Sequence, residues 1–228
     1  AKNIQIWTDI DGMHNNDPRI VDNTKPIKEL SFKEAAELAY FGAKILHPAS
    51  IRPAEEKNIP VWLKNTLDSN AHGTLIHAES LTKGFKAVAA KEGIIAIKIR
   101  SGRMLMAYGF LRNVFEVFER FKTPIDMITT SEVAVSVTID NVINLEGIVK
   151  ELKNFGSVEV DQDQTIVCVV GNYSAEGMGY ASKIFTALDK IPIRMISYGG
   201  SNHNVSVLIK TEQKKAALMA LNKGVFNL

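Results

Sequence analysis

Two stretches in the second half of the chain carry the same order of sequence patterns, and this repeat constrains the fold more than any other feature. Each copy has a helical pattern that begins after a glycine, at Gly109-Phe110 and at Gly179-Tyr180. Two strand patterns and a second helix follow in both copies, with the strands over 125–129 and 133–137 or over 193–197 and 205–209. Each copy therefore predicts an α+β sandwich with helices on one face of a sheet.

One strand pattern on each side of the first copy sets its limits. Apolar residues alternate at Ile95, Ile97 and Ile99, which predicts the strand that opens this copy, and a short strand over 158–160 closes it. We therefore predict one unit over 94–162 and a second over 163–228, with a linker over 81–93.

The first quarter of the chain has the pattern of a strand that leads through a polar loop into a helix. Apolar and polar residues alternate over 4–7, and Asp17-Pro18-Arg19 marks a turn in the loop. Ser31-Phe32-Lys33-Glu34 is a capping-box pattern, so a helix begins there and carries the chain to Lys44. Such a loop and helix can bring one arginine and one lysine to a polyphosphate.

A simpler interpretation of these residues stays open. Asp17-Pro18-Arg19 is also a common solvated turn, and a lysine late in a helix often only complements the helix dipole. The GxGxxG and GxxxxGK[ST] patterns are absent from the sequence, which argues against a Rossmann or P-loop nucleotide site.

Composition excludes several classes of function. The 228 residues are 46% hydrophobic and 23% charged with a net charge of +2, and the Lys and Arg residues are dispersed, unlike those of a nucleic-acid-binding protein. No apolar run approaches the roughly 20 residues that cross a bilayer. The histidines lack the spacing of a metal site, and Cys168 lies in an apolar strand pattern, as expected of an inert thiol in a reducing cytoplasm.

Three motifs, taken in order, resemble the ATP-binding end of aspartate kinase: Thr8-Asp9-Ile10-Asp11-Gly12, Asn16-Asp17-Pro18-Arg19 and Phe41-Gly42-Ala43-Lys44-Ile45-Leu46-His47-Pro48. The resemblance covers residues 1–80, and the repeat is similar to the paired ACT regulatory domains of that family. It implies an α/β fold: the C-terminal part of an amino acid kinase (carbamate kinase-like) domain, then two ferredoxin-like βαββαβ ACT domains. In that family one ACT unit is often completed by a segment from beyond the other, so the boundaries can be intertwined.

The resemblance also implies an activity and a nucleotide site. The reaction is the ATP-dependent phosphorylation of L-aspartate to 4-phospho-L-aspartate, the first step of lysine, threonine and methionine biosynthesis, with Mg²⁺ accompanying ATP. Thr8 and Asp9 are expected to contact the nucleotide, and Arg19 and Lys44 to hold its phosphates. His14 stands where many members have an aromatic residue, so it is expected to lie beside the adenine.

By the same resemblance, the first ACT unit is expected to bind an amino-acid effector through Met104, Phe110, Leu111, Ile125, Asp126, Ser131 and Glu132. Asp126 and Glu132 offer two acids to the two ammonium groups of lysine, which favours lysine over threonine. Ala107 replaces the serine of the lysine-binding pattern, so the identity of the effector stays open. The second copy lacks acids in the turn over 199–204 and is expected to support a homodimer, because pairing between ACT sheets covers their open edges.

The Lys-Phe-Gly-Gly-type segment of aspartate kinases and their aspartate-binding arginine are not in this sequence. The chain is therefore expected to be the C-terminal portion of a longer, monofunctional, lysine-sensitive enzyme, to hold no catalytic residue and to be inactive alone. The alternative is a free-standing ACT module that senses an amino acid without catalysis. No metal site, nucleic acid partner or membrane partner is expected.

Overall fold

The N-terminal part of the protein is a four-stranded sheet with two helices. The computed structural model describes residues 1–42, 48–79, 82–102, 108–173 and 177–228. The first elements are β1 (Ile4–Thr8), β2 (Glu29–Ser31), α1 (Phe32–Tyr40), α2 (Pro48–Glu56), β3 (Val61–Asn65) and β4 (Thr74–His77). The strand order is β1-β3-β4-β2, and β1 runs parallel to β3, so their carboxyl ends meet at one edge of the sheet.

Helix α1 begins at the predicted capping box. The Ser31 hydroxyl accepts a hydrogen bond from the backbone N–H of Glu34 at 3.2 Å, and Glu34 Oε2 accepts one from the backbone N–H of Ser31 at 2.7 Å. These reciprocal bonds satisfy two backbone donors at the start of the helix. The buried face of α1 carries Phe32, Ala35 and Leu38, which fix the helix against the sheet.

The C-terminal part is built on a six-stranded sheet with the order β6-β7-β5-β8-β10-β9. Its elements are β5 (Gly84–Arg100), α3 (Phe110–Arg120), β6 (Ile128–Thr130), β7 (Ala134–Ile139), α4 (Leu145–Leu152), β8 (Ser157–Asn172), α5 (Tyr180–Ala187), β9 (Met195–Tyr198), β10 (Asn204–Lys210) and α6 (Lys214–Phe226). Both copies of the repeat are therefore confirmed. In each copy the first helix follows a glycine with positive φ, 82° at Gly109 and 86° at Gly179, where an L side chain would be strained.

The long strands β5 and β8 each serve both units of the repeat, here called ACT units after the domains that they resemble. The second half of β5, from Ile94, pairs with β7 and with the start of β8, while the first half, from Gly84 to Lys91, pairs with the end of β8. The end of β8 also pairs with β10. The second unit is thus completed by a strand that precedes the whole of the first unit, which is the intertwining that the resemblance anticipates.

The predicted linker over 81–93 is wrong for most of its length, because residues 84–91 form a strand. The predicted division near residue 163 falls inside β8 and separates no structural unit. Strands β2 and β4 were not predicted either. Both are short, with three residues in β2 and four in β4.

Apolar packing joins the two parts of the molecule. Leu38 and Phe41 of the α1 region belong to the same buried cluster as Ile166 and Cys168 of β8. The α1 helix therefore lies on the face of the large sheet opposite the ACT helices, against the strands that both ACT units share. Within the described ranges, no helix is long and apolar enough to cross a membrane.

Candidate nucleotide and effector sites

The predicted nucleotide residues Thr8 and Asp9 lie at the carboxyl end of β1. The Thr8 hydroxyl accepts a hydrogen bond from the backbone N–H of Ile10 at 3.2 Å and turns the chain out of the strand. The Thr8 carbonyl oxygen accepts bonds from the backbone N–H and the hydroxyl of Thr66, at 2.7 and 2.8 Å, just beyond β3. Asp9 is exposed at this edge, so its carboxylate faces solvent where a ligand can approach.

His14 is held by both ring nitrogens. Its Nδ1 lies 2.8 Å from the Thr24 hydroxyl, and its Nε2 lies 2.9 Å from Asp11 Oδ1. With both edges of the ring engaged, a face of the imidazole is what remains for contact with a planar group. This geometry is compatible with stacking and not with a hydrogen bond to a base.

Arg19 is exposed, with 84% of its side chain in solvent. Its Nε and Nη2 donate to the two carboxylate oxygens of Asp17 at 2.9 and 2.8 Å. Those hydrogen bonds from Arg19 outweigh partial burial and lower the pKa of Asp17. The guanidinium is therefore oriented by a neighbour while its outer edge faces solvent. Lys44, the second predicted cation, lies outside the described residues.

The end of α1 is fixed against the large sheet just before that segment. Gly42 has a φ of 120°, and a Cβ at this position would lie 2.3 Å from the carbonyl oxygen of Ala90 on β5. Only a glycine fits this approach of two backbones. The chain that leads towards Lys44 thus leaves α1 in contact with a strand shared by both ACT units.

On the effector side, Asp126 is the most buried ionisable group of the predicted set, with 3% of its side chain exposed. Its Oδ1 accepts hydrogen bonds from Lys91 Nζ at 2.8 Å and from the Tyr40 hydroxyl at 2.9 Å. The same Lys91 ammonium lies 2.9 Å from Asp140 Oδ2. Asp126 Oδ2 is buried and has no hydrogen-bond partner among the residues that the structure describes. One oxygen of Asp126 is thus shared with β5 and α1, and the other remains an open acceptor.

The pKa values of the two donors reflect this cluster. Burial and the hydrogen bond to Asp126 raise the pKa of Tyr40 to about 12. Burial acts to lower the pKa of Lys91, but its hydrogen bonds to Asp126 and Asp140 outweigh that effect and raise it above the usual value. Lys91 therefore stays charged at neutral pH and balances the two carboxylates.

The other predicted effector residues divide between core and surface. Phe110 is buried in the core of the first ACT unit, and Leu111 and Ile125 pack against the same core. Ser131 and Glu132 are exposed in the turn between β6 and β7, where the Ser131 backbone N–H donates to the Ala134 carbonyl oxygen at 2.8 Å. Met104 and Ala107 lie outside the described residues. Phe110 and Ile125 thus contribute to the core of this unit.

The second copy uses the equivalent positions for contacts within the chain. Arg194 stands where the first copy has Asp126, and it forms an ion pair with Asp161. In the turn before β10, Ser201 Oγ and Asn204 Nδ2 donate to the carboxylate of Glu37 on α1, at 2.9 and 2.6 Å. The turn over 199–204, which lacks acids of its own, therefore binds the carboxylate of Glu37 in the N-terminal part.

Comparison with known proteins divides the chain in the same way as the fold. The model of the amino acid kinase family matches residues 1–65, and an ACT domain model matches residues 167–225. Lysine-sensitive aspartokinase 3 of Escherichia coli (strain K12) is 35% identical over 235 residues, which cover 99% of this chain and 52% of that relative.

Solved structures agree over the same length. E. coli aspartokinase III in complex with aspartate and ADP (R-state) matches with a TM-score of 0.91 and 36% identity, over 99% of this chain and 53% of that one. Its complex with lysine and aspartate (T-state) matches with a TM-score of 0.86 and 37% identity, over 99% and 52%.

A structure from Porphyromonas gingivalis W83, described as a C-terminal regulatory domain of aspartate kinase, is 52% identical with a TM-score of 0.57, over 62% of this chain and 97% of that one. The chain belongs to the aspartokinase family. Aspartokinase membership accounts for both parts of the fold, and the chain spans about half the length of its E. coli aspartokinase relative.

The roles of two groups of residues in this aspartokinase chain were not predicted from the sequence, although Asn16 belongs to one of the three motifs. Lys91 and Tyr40 complete the Asp126 cluster, and Asn15, Asn16 and Asn222 form a buried amide network between the β1–β2 loop and α6. Single lysines, tyrosines and asparagines have no periodic pattern that would mark them. Among the described residues, no group of three or more His, Cys, Asp and Glu side chains is placed to hold a metal ion.

Proposed function

We propose that this chain is the C-terminal part of an aspartokinase, an enzyme that phosphorylates the side-chain carboxylate of L-aspartate with ATP to give 4-phospho-L-aspartate. The chain supplies part of the nucleotide site and the whole feedback switch. The observation that carries the proposal is the agreement in fold, over 99% of the chain, with E. coli aspartokinase III in complex with aspartate and ADP. The half-exposed apolar residues Ile4 and Trp7 on β1 support it, since the rest of a kinase domain would cover them.

In the proposed nucleotide site, Thr8 and Asp9 contact the nucleotide at the end of β1 and His14 presents its ring face to the adenine. Arg19 and Lys44 hold the phosphates. Phosphoryl transfer depends mostly on positioning and charge neutralisation, which suits one guanidinium and one ammonium at this edge.

Mg²⁺ accompanies the ATP in this proposal. The ion usually binds through substrate phosphates and one or two carboxylates, and the exposed Asp9 is suited to give such an oxygen. When bound, Mg²⁺ neutralises charge on the transferred phosphoryl group.

The effector is an amino acid, with lysine favoured over threonine. Asp126 Oδ2 is a buried acceptor to which no described residue donates, and Glu132 is an exposed acid on the adjoining turn. Together they suit the two ammonium groups of lysine, while the backbone N–H groups at the start of α3 suit its carboxylate. A homodimer formed through the ACT sheets would place this site between subunits.

Contacts of both ACT units with α1 provide a route for feedback. Tyr40 bonds to Asp126 of the first unit, and Glu37 bonds to Ser201 and Asn204 of the second. An effector ammonium that binds Asp126 Oδ2 shares the carboxylate with the Tyr40 hydroxyl, which bonds Oδ1, and so weakens the hydrogen bond from Tyr40. The position of α1 therefore depends on the occupancy of the effector site.

The test is an assay of acyl-phosphate formation by this chain alone and by the longer protein encoded with its upstream sequence. We expect the longer protein to phosphorylate aspartate and to be inhibited by lysine. We expect no activity above a protein-free blank from this chain alone, because the residues that position aspartate lie elsewhere. Activity of the chain alone, or none from the longer protein, would contradict the proposal.

A further inference from the structure

The loop that carries Arg19 lies mostly on the second ACT unit. Residues 9–28 connect β1 to β2. The two ends of this loop bond to each other, with the Ile27 N–H donating to the Met13 carbonyl oxygen at 2.7 Å. Between these ends the loop crosses to the large sheet, where the Val88 N–H of β5 donates to the Asn15 carbonyl oxygen at 2.8 Å. Val21 is buried in the apolar cluster of the second unit.

Three asparagine side chains hold the loop on α6. Asn222 Oδ1 accepts hydrogen bonds from Asn15 Nδ2 at 3.0 Å and from Asn16 Nδ2 at 3.4 Å, and Asn222 Nδ2 donates to the Asn23 carbonyl oxygen at 2.8 Å. Asn16 Nδ2 also donates to the Leu218 carbonyl oxygen at 3.0 Å. Asn15, Asn16 and Asn222 are 4%, 3% and 2% exposed, so water does not replace these bonds.

The network continues to the predicted phosphate-holding residue. Asn16 Oδ1 accepts from the backbone N–H of Asp17 at 3.0 Å, and the Asp17 carboxylate holds the Arg19 guanidinium in two hydrogen bonds. The Asp17 carbonyl oxygen accepts from the N–H groups of Ile20 and Val21, which closes the turn. A chain of contacts therefore runs from Asn222 through Asn16 and Asp17 to Arg19.

We propose that α6 of the second ACT unit positions the phosphate-binding loop and that Asn222 is the positioning residue. This inference rests on the proposed function, since it assumes that Arg19 meets the phosphates of ATP. Asn222 is suited to the role because its amide bonds three separate loop residues. Its loss removes the Asn222 partner of the buried Asn15 amide and of the Asn23 carbonyl oxygen, and Asn16 Nδ2 keeps its bond to Leu218. Nucleotide affinity then depends on the second ACT unit even when no effector is bound.

The test compares Asn222→Ala with Val225→Ala in the longer aspartokinase. Val225 is buried on the same helix and in the same cluster, but no hydrogen bond joins its side chain to the loop. Both variants are expected to lower Tm. Only Asn222→Ala is expected to raise the KM for ATP, by about three- to tenfold, with kcat and the KM for aspartate nearly unchanged. An equal rise in both variants, or a rise in neither, would overturn the proposal.

Hydrogen–deuterium exchange on this chain gives a readout that does not depend on activity. Asn222→Ala is expected to speed exchange over residues 14–26 while β8 and β10 stay protected, and Val225→Ala is expected to leave the loop protected. If Asn222→Ala left exchange over residues 14–26 unchanged, Asn222 would not hold the loop on α6. That result alone would overturn the inference. A different outcome is a longer protein that is inactive but whose loop still loses protection in Asn222→Ala. That result would overturn the proposed function and the link from Asn222 to nucleotide binding, while Asn222 would still hold the loop on α6.

Discussion

Substitution of Lys91 by methionine tests whether the Asp126 cluster stabilises the molecule. The change keeps most of the side-chain volume and removes an ammonium that lies 2.8 Å from Asp126 and 2.9 Å from Asp140. The Asp126 side chain is 3% exposed, and within the described part of the chain its carboxylate would keep only the Tyr40 hydroxyl as a partner. A buried carboxylate that loses its counter-charge is destabilising unless it takes up a proton.

The expected cost follows from burial. Removal of one partner of a fully buried ion pair costs about 3–5 kcal/mol. The Lys91 side chain is 19% exposed and that of Asp140 is 38% exposed, so water screens part of the interaction. We therefore expect Lys91→Met to lower the free energy of unfolding by about 2–3 kcal/mol. Asp126→Asn removes the carboxylate, so Lys91→Met made in that background should cost at least about 1.5 kcal/mol less than it costs in the unsubstituted chain.

The assay is urea unfolding of this chain at pH 7, with the two single variants and the double variant forming a cycle. Lys215→Met on the exposed side of α6 is the control and should change stability by less than about 0.5 kcal/mol. If Lys91→Met also lowered the free energy of unfolding by less than about 0.5 kcal/mol, or if the cycle gave no coupling energy, the Asp126 cluster would not stabilise the fold.

Four further outcomes are expected. The pKa of Tyr40 is raised to about 12, so its contribution to stability is complete below the ordinary value of roughly 10 and is lost as pH rises through 12. The free energy of unfolding of Tyr40→Phe should therefore fall less over this pH window than that of the unsubstituted chain, and identical pH profiles would contradict the prediction. In Gly42→Ala the new Cβ would lie 2.3 Å from a β5 carbonyl oxygen, so the substitution should lower the free energy of unfolding in urea by about 3 kcal/mol or more. Gly93 also has a positive φ but lies in open space, so Gly93→Ala should cost only about 1 kcal/mol. Equal costs would refute the steric argument. Arg19→Ala should raise the KM for ATP of the longer enzyme about tenfold with little change in Tm, and normal ATP kinetics would remove Arg19 from the nucleotide site. Lysine binding to this chain, measured by calorimetry, should disappear in Glu132→Ala, and tighter binding of threonine than of lysine by the unsubstituted chain would reject lysine as the effector.

Local patterns of the sequence predicted the elements that depend on local interactions. The capping box at Ser31 and Glu34 fixed the start of α1, because a box needs only residues three apart. The helices after Gly109 and Gly179 followed from apolar spacing after a residue that tolerates positive φ. The two ACT units were visible because the same local patterns occur twice.

Features that depend on distant partners were not predictable in the same way. The first half of β5 is rich in alanine, which has low strand propensity, and it is a strand because β8 supplies its partner. Asn222 meets Asn15 across more than 200 residues, and Asp126 meets Lys91 and Tyr40 from two other elements. Sequence named Asp126 by resemblance to a family, but its partners became known only from the fold.

The sharing of β5 and β8 imposes an order on folding during synthesis. The first half of β5 leaves the ribosome before any residue of the first ACT unit, yet Lys91 pairs with Ile166. At roughly 5–20 residues per second, the intervening chain of about 75 residues takes about 4–15 s to emerge. During that interval the first unit can fold, while residues 84–91 wait as an unpaired strand with backbone groups that other nascent chains can bind. Slow translation through the first ACT unit would prolong this exposure, so yield should depend on codon usage there more than in the region that encodes α6.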